Sequence, residues 1–218
     1  MENYEAIRQE LIKTGKFMME YGLAWGNAGN ISARVNDNHY LITASGTFLG
    51  ELEPGDLVEC SVSGENPAQE KKPSKETPMH QAIYSNRPEI NSVLHASPFY
   101  STLVACSNIE IPSNWFVETM YYLERVERVA YHHPGSQSLG EAVAEKASKA
   151  NILLLENHGV LVYDTNLKEA RMALQTLEMA CKMLVTAKSS KIDINGLQEE
   201  IEKDFLENAG YKPRRDWP

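Results

Sequence analysis

Ile152-Leu153-Leu154-Leu155-Glu156-Asn157-His158-Gly159-Val160-Leu161-Val162-Tyr163 is the stretch that decides the fold. Four apolar residues, a polar turn ending in glycine and a second apolar run read as a strand, a tight turn and a returning strand. Working outward, residues 31–35 and 40–43 read as two strands around the turn Asn36-Asp37-Asn38. Residues 57–61, 91–95 and 126–130 are further strands. Helices lie between them. The opening segment puts Ile7, Leu11, Phe17 and Met18 on one face. Thr77-Pro78 and Ser97-Pro98 each look like a cap followed by proline, opening helices to about 85 and 106. Residues 139–150 form another helix, and Ala170, Leu174, Leu177, Cys181 and Leu184 sit at helical spacing within 167–188. The polar stretch 63–74 reads as an exposed loop. A tail from about 190 holds a helix over 197–207 and the basic run Lys212-Pro213-Arg214-Arg215. Hairpin turns mixed with moderate helices predict a single α/β domain over 1–218 with a largely antiparallel sheet.

The 218 residues suffice for one sizeable core. Hydrophobic residues at 42% and charged ones at 23% exclude a disordered chain or a coiled coil. A net charge of −9 speaks against nucleic acid or an anionic membrane surface as partner. It leaves room for a small anionic substrate in a local cationic pocket. No apolar run reaches the roughly 18 residues of a membrane span. The start, Met1-Glu2-Asn3-Tyr4-Glu5, lacks the pattern of a signal peptide. Cys60, Cys106 and Cys181 are odd in number and scattered, so no disulfide framework is expected and a reducing cytoplasm is the expected location.

Three histidines fall where chain geometry is special. His95 ends a strand before a helix, His158 occupies a tight turn, and His133, beside His132, precedes the Pro134-Gly135 turn. Strand ends and turns are where metal sites are assembled, because they bring distant segments together. The same residues also read as a turn histidine and a hydrogen-bonded core histidine. Glu76 precedes a helix N-terminus, where the dipole favours a carboxylate; a solvated helix-end glutamate is the plain alternative. Gly26-Asn27-Ala28-Gly29-Asn30 offers backbone amides and amide side chains to an anion, without the spacing of a nucleotide P-loop. An ordinary helix-to-strand connection reads equally well. Ser45-Gly46-Thr47 and Ser74-Lys75 add hydroxyls and one cation.

Taken in order, Gly26-Asn27-Ala28-Gly29-Asn30-Ile31-Ser32, Ile42-Thr43-Ala44-Ser45-Gly46, the segment from Lys72 through Glu76 to His80, Val93-Leu94-His95-Ala96-Ser97 and Leu155-Glu156-Asn157-His158-Gly159-Val160 resemble the class II aldolase/adducin family. The resemblance runs from the first helix to about Lys188. It implies a three-layer α/β/α domain and a cyclic homotetramer with active sites between subunits. It also implies a divalent metal, zinc foremost and manganese an option, on three histidines. His95 and His158 match two of them; Ser97 stands where the family has the other, and His133 is the expected replacement, with His132 behind it. Serine is a poor zinc ligand, and Ser97 has a structural reason to be there, as a cap for the next helix.

Glu76 matches the family's acid/base glutamate. Phosphate-holding groups carry over as Asn27, Gly29, Asn30, Ser45, Gly46 and Ser74, with Lys75 where many aldolases have serine. A tyrosine that assists fuculose-phosphate aldolase aligns with Phe116, and Tyr211 in the tail is a weak substitute. The expected activity is a metal-dependent lyase cleaving a small sugar phosphate by a retro-aldol reaction through a metal-stabilised enediolate. A related epimerase or decarboxylase is the nearest alternative, and a non-catalytic adducin-head-like module the alternative of a different class.

Overall fold

The structure, a computed structural model, describes residues 2–64, 69–215 and 217. Of the loop read over 63–74, residues 65–68 lie outside the described residues. Seven strands, β1 (Asn30–Asn36), β2 (His39–Thr43), β3 (Leu57–Ser61), β4 (Ser92–Ala96), β5 (Val126–Val129), β6 (Ile152–Leu155) and β7 (Gly159–Asp164), form one sheet in the order β3-β2-β1-β4-β7-β6-β5. The helices are α1 (Glu2–Glu20), α2 (Thr77–Asn86), α3 (Phe99–Ala105), α4 (Val117–Tyr122), α5 (Gln137–Ala147), α6 (Leu167–Ser190) and α7 (Glu199–Asn208). α4 had no counterpart in the sequence reading.

The sheet is mixed, which corrects the largely antiparallel expectation. β5 pairs β6 in parallel, while the other neighbours pair antiparallel. The reason is connectivity: the chain leaves β5, crosses through α5 and re-enters as β6, and such a crossover restores the strand direction. A reading built on hairpin turns misses it.

Both faces of the sheet are covered. One core joins Ile31, Leu94, Ile152, Leu154, Val160 and Val162 to α1, α3, α4 and α6. The other joins Ile42, Val93, Leu153, Leu155, Leu161 and Tyr163 to α2 and α5. Alternate residues of β6 and β7 therefore face opposite layers, and their unbroken apolar runs follow from burial on both sides. This is the three-layer α/β/α arrangement.

Helix starts differ in detail from the expected caps. α2 begins at Thr77, so Glu76 takes the N-cap position, and Thr77 Oγ1 donates to the Ser74 carbonyl at 2.6 Å. Ser97 does not cap α3. Its hydroxyl donates to the His158 carbonyl at 3.3 Å, while the Glu178 carboxylate, reaching from α6, accepts from the amides of Tyr100 and Ser101. The tail docks on its own chain. Arg215 pairs with Asp164 at 2.7 Å, Lys212 with Glu169 at 2.7 Å, and Tyr211 lies against Tyr121. No described helix is long and apolar enough to cross a membrane.

Candidate active site

Strand register brings the site together. Asn30, first residue of β1, lies opposite His95 near the end of β4, and Ala96 lies opposite Val160 of β7. The turn carrying His158 therefore sits over the end of β4. Two glycines permit this packing. A Cβ on Gly159 would lie 2.5 Å from the Ala96 carbonyl oxygen. One on Gly29, whose φ is +96°, would lie 2.8 Å from the His95 carbonyl oxygen. The segment before α2 is tied to the end of β2 by Ser45 N to Lys72 O and Ser74 N to Thr43 O, both 3.0 Å, which delivers Glu76 to the same place.

Glu76 Oε2 lies 3.2 Å from His95 Nε2 and accepts from Asn30 Nδ2 at 2.7 Å. Glu76 Oε1 lies 3.1 Å from His158 Nε2 but makes no aligned hydrogen bond. His95 is nearly buried, with only 3% of its side chain exposed, and donates from Nδ1 to the Val160 carbonyl at 3.0 Å. That bond turns Nε2 toward the carboxylate, as in metal-binding histidines oriented by a backbone carbonyl. Burial pushes the Glu76 pKa up, but the imidazoles of His95 and His158 outweigh it and hold the carboxyl below its ordinary value. Glu76 is therefore ionised.

Two imidazole nitrogens and a carboxylate oxygen, all within 4.8 Å of one another, fit a divalent ion of the zinc type. Ligand atoms about 2.0–2.1 Å from a tetrahedral ion lie roughly 3.3 Å apart, close to the spacings around Glu76. Among the described residues this is the one such His/Cys/Asp/Glu group.

His133 does not join it. Gly135 packs against the Lys75 backbone, and the exposed His133 ring lies beside Tyr131, its Nδ1 3.2 Å from the hydroxyl. The expected replacement for Ser97 is thus absent from the group, which Glu76 completes with His95 and His158. His132 also lies outside the group. A cavity of about 470 Å³ opens over the cluster, lined by Asn27, Gly29, Asn30, Ser45, Gly46, Ser74 and Lys75, with Ser97, Trp25 and Pro134. Phe116 and Tyr211 are not among its lining residues. A larger cavity, about 830 Å³, lies at the opposite end of β4 and β7 beneath the tail. Its Arg87, Lys212, Arg214 and Arg215 already face carboxylates, so it offers less chemistry than the smaller one.

Three residues behind the site escaped the sequence reading. His80 Nε2 meets Asn30 Oδ1 at 2.6 Å, His80 Nδ1 meets Ser32 Oγ at 2.7 Å, and Ser32 Oγ meets the Tyr84 hydroxyl at 2.8 Å. His80 stands one helical turn after Glu76, and that spacing was the available signal.

The three-layer fold with a Glu-His-His cluster at one sheet end defines a class. The chain belongs to the Class II Aldolase and Adducin N-terminal domain family, which it matches over residues 9–185. It is 34% identical to the 3-oxo-tetronate 4-phosphate decarboxylase of Haemophilus influenzae over 94% of this chain and 98% of that protein. It is 29% identical to the L-fuculose phosphate aldolase of Methanocaldococcus jannaschii over 81% of this chain and 94% of that protein. Among solved structures, the protein YgbL of Klebsiella pneumoniae, described by the choice aldolase/epimerase/decarboxylase, is similar with a TM-score of 0.85. The two share 29% identity over 93% of this chain and 98% of that one.

Proposed function

We propose that this protein is a metal-dependent decarboxylase of a 3-oxo sugar-acid phosphate. The observation that carries the reading is the Glu76 carboxylate lying 3.1–3.2 Å from two imidazole nitrogens beneath a cavity rimmed by amides and hydroxyls. The decarboxylase reading is preferred to the retro-aldol one because two relatives of that name reach 34% identity, against 29–32% for relatives named aldolases. By the family resemblance Phe116 stands where fuculose-phosphate aldolase has its helper tyrosine, which agrees.

The two reactions need the same machinery. A 3-oxo-tetronate 4-phosphate that loses CO2 leaves an enediolate across C2 and C3, and one proton added at C2 gives dihydroxyacetone phosphate. Retro-aldol cleavage of a ketose 1-phosphate passes through the same enediolate. His95, His158 and Glu76 would hold a divalent ion, zinc by donor type, which would supply Lewis-acid stabilisation of the oxygen that becomes negative. Glu76, ionised in the free site, would relay a proton from water to C2. Asn27, Gly29, Asn30, Ser45, Gly46 and Ser74 hold the phosphate, and the exposed Lys75 adds a positive charge at the mouth.

Exposed Phe99 and Leu103 on α3 and Met179 on α6 support the homotetramer as part of this proposal; light scattering tests it, and a monomer at micromolar concentration contradicts it. The three free cysteines fit a cytoplasmic setting. For the activity itself, purified protein loaded with zinc is given 3-oxo-tetronate 4-phosphate and, separately, L-fuculose 1-phosphate. CO2 release from the first is expected; turnover of the second alone would return the retro-aldol reading.

A further inference from the structure

The candidate site extends one layer deeper than its ligand atoms. A carboxylate only accepts hydrogen bonds, so the Asn30 atom 2.7 Å from Glu76 Oε2 is the amide nitrogen. Its carbonyl oxygen must then face His80, which donates to it from Nε2 at 2.6 Å. The other ring nitrogen of a neutral imidazole is an acceptor, so Ser32 donates to Nδ1 at 2.7 Å. Ser32 has spent its single proton, so Tyr84 donates to it at 2.8 Å. One arrangement of protons satisfies all four bonds, and each points toward Glu76. Ser32 and His80 are fully buried and Tyr84 is 2% exposed, so water offers no substitute partner. Burial also pushes the His80 pKa down to about 3, which keeps its ring neutral.

We propose that His80 is a positioning residue: its Nε2–H fixes which end of the Asn30 amide faces Glu76 and so holds that carboxylate in place for its work. The proposal rests on the reading of Glu76 as the proton carrier. Without the His80 donor the buried Asn30 carbonyl oxygen loses its partner, and the amide can shift to find another at the expense of its bond to Glu76. The Ser32 and Tyr84 hydroxyls act further back, by setting the His80 tautomer.

His80→Leu and His80→Gln are compared in the full-length, zinc-loaded protein with 3-oxo-tetronate 4-phosphate, with Glu76→Gln alongside. Leucine removes the donor, whereas glutamine can place an N–H close to where Nε2 stands. His80→Leu is expected to lower kcat by about 10- to 100-fold, the scale of a small misplacement in a catalytic group, with KM within about twofold. His80→Gln restores most of that loss. A folded His80→Leu protein with wild-type kcat, or a His80→Gln protein no better than leucine, overturns the proposal. The ring-nitrogen NMR signals of His80 in the wild-type protein test it without turnover and whether or not the leucine variant folds. The Nε2–H tautomer is expected, and the Nδ1–H tautomer overturns it. Wild-type protein that fails to turn over the substrate, or Glu76→Gln that works as fast as wild type, counts against the proposed function and leaves the tautomer measurement standing.

Discussion

Replacing Arg215 by methionine tests whether the tail is an integral part of the domain. Arg215 and Asp164 pair at 2.7 Å with side chains only 9% and 7% exposed, and the guanidinium also lies 4.7 Å from the Tyr121 ring centroid. Methionine keeps much of the packing against that ring and removes the charge. Asp164 then stays buried with the Thr165 amide, 2.8 Å away, as its remaining local donor. Breaking one side of a buried pair costs about 3–5 kcal/mol, which for a chain of this size lowers Tm by roughly 6–20 °C. The loss must depend on pH. Burial raises the Asp164 pKa in the native protein, against the opposing pull of Arg215. Removing Arg215 raises it further. A raised carboxyl is most favourable to folding below its unfolded value near 3.8, and that benefit is lost as pH rises through the folded value. The variant's deficit should therefore be largest at pH 7 and shrink toward pH 4. Urea unfolding of Arg215→Met, of Asp164→Asn and of the double variant at both pH values is the assay, with the double variant recovering much of the loss because neither charge is stranded. A deficit for Arg215→Met below about 0.5 kcal/mol at pH 7, the size of an ordinary surface substitution, would refute the docked tail. So would an equal deficit at both pH values.

Three further outcomes are expected. Glu76→Gln should keep the fold and lower kcat by about 10²–10⁴-fold, read by steady-state kinetics; the structural alternative predicts unchanged turnover. His80, buried and neutral with a pKa lowered to about 3, contributes stability that is complete above pH 6.5 and lost as pH falls toward 3. Wild type should lose up to about 1.4 kcal/mol per pH unit below 6.5 relative to His80→Gln in urea titrations, and parallel curves would contradict the buried neutral ring. Ser97→His adds an imidazole beside the cluster, where Ser97 now lines the cavity. Competition with a chelator should show zinc held about tenfold or more tightly, given the better ligand, and unchanged affinity would mean that the new ring points elsewhere.

Much of the layout was legible in the sequence because it depends on neighbours along the chain. The apolar run 152–155, the turn at His158 and the return through 160–163 fixed a hairpin by period and by glycine. Both glycines at the site stand where backbones touch, and ordered motifs singled out Glu76, His95, His158 and the amide-rich loop as candidates. What remained depended on partners far apart in sequence. The direction of β5 relative to β6 follows from a crossover through α5, which hydrophobic periodicity does not record. Whether His133 reaches the Glu76–His95–His158 group depends on how the 131–135 turn packs on Lys75. That Glu76 itself faces both imidazoles depends on the register of β1 with β4 and of β4 with β7. The basic tail finds its partners, Asp164, Glu169 and Glu124, only across the fold. His80 looked like one more helix residue; only the buried path through Asn30, which closes when strand and helix pack, joins it to Glu76. Residue types and spacings along the chain determined which groups were available for chemistry, and long-range packing decided which of them meet, because hydrogen bonds and ion pairs form only over a few ångströms.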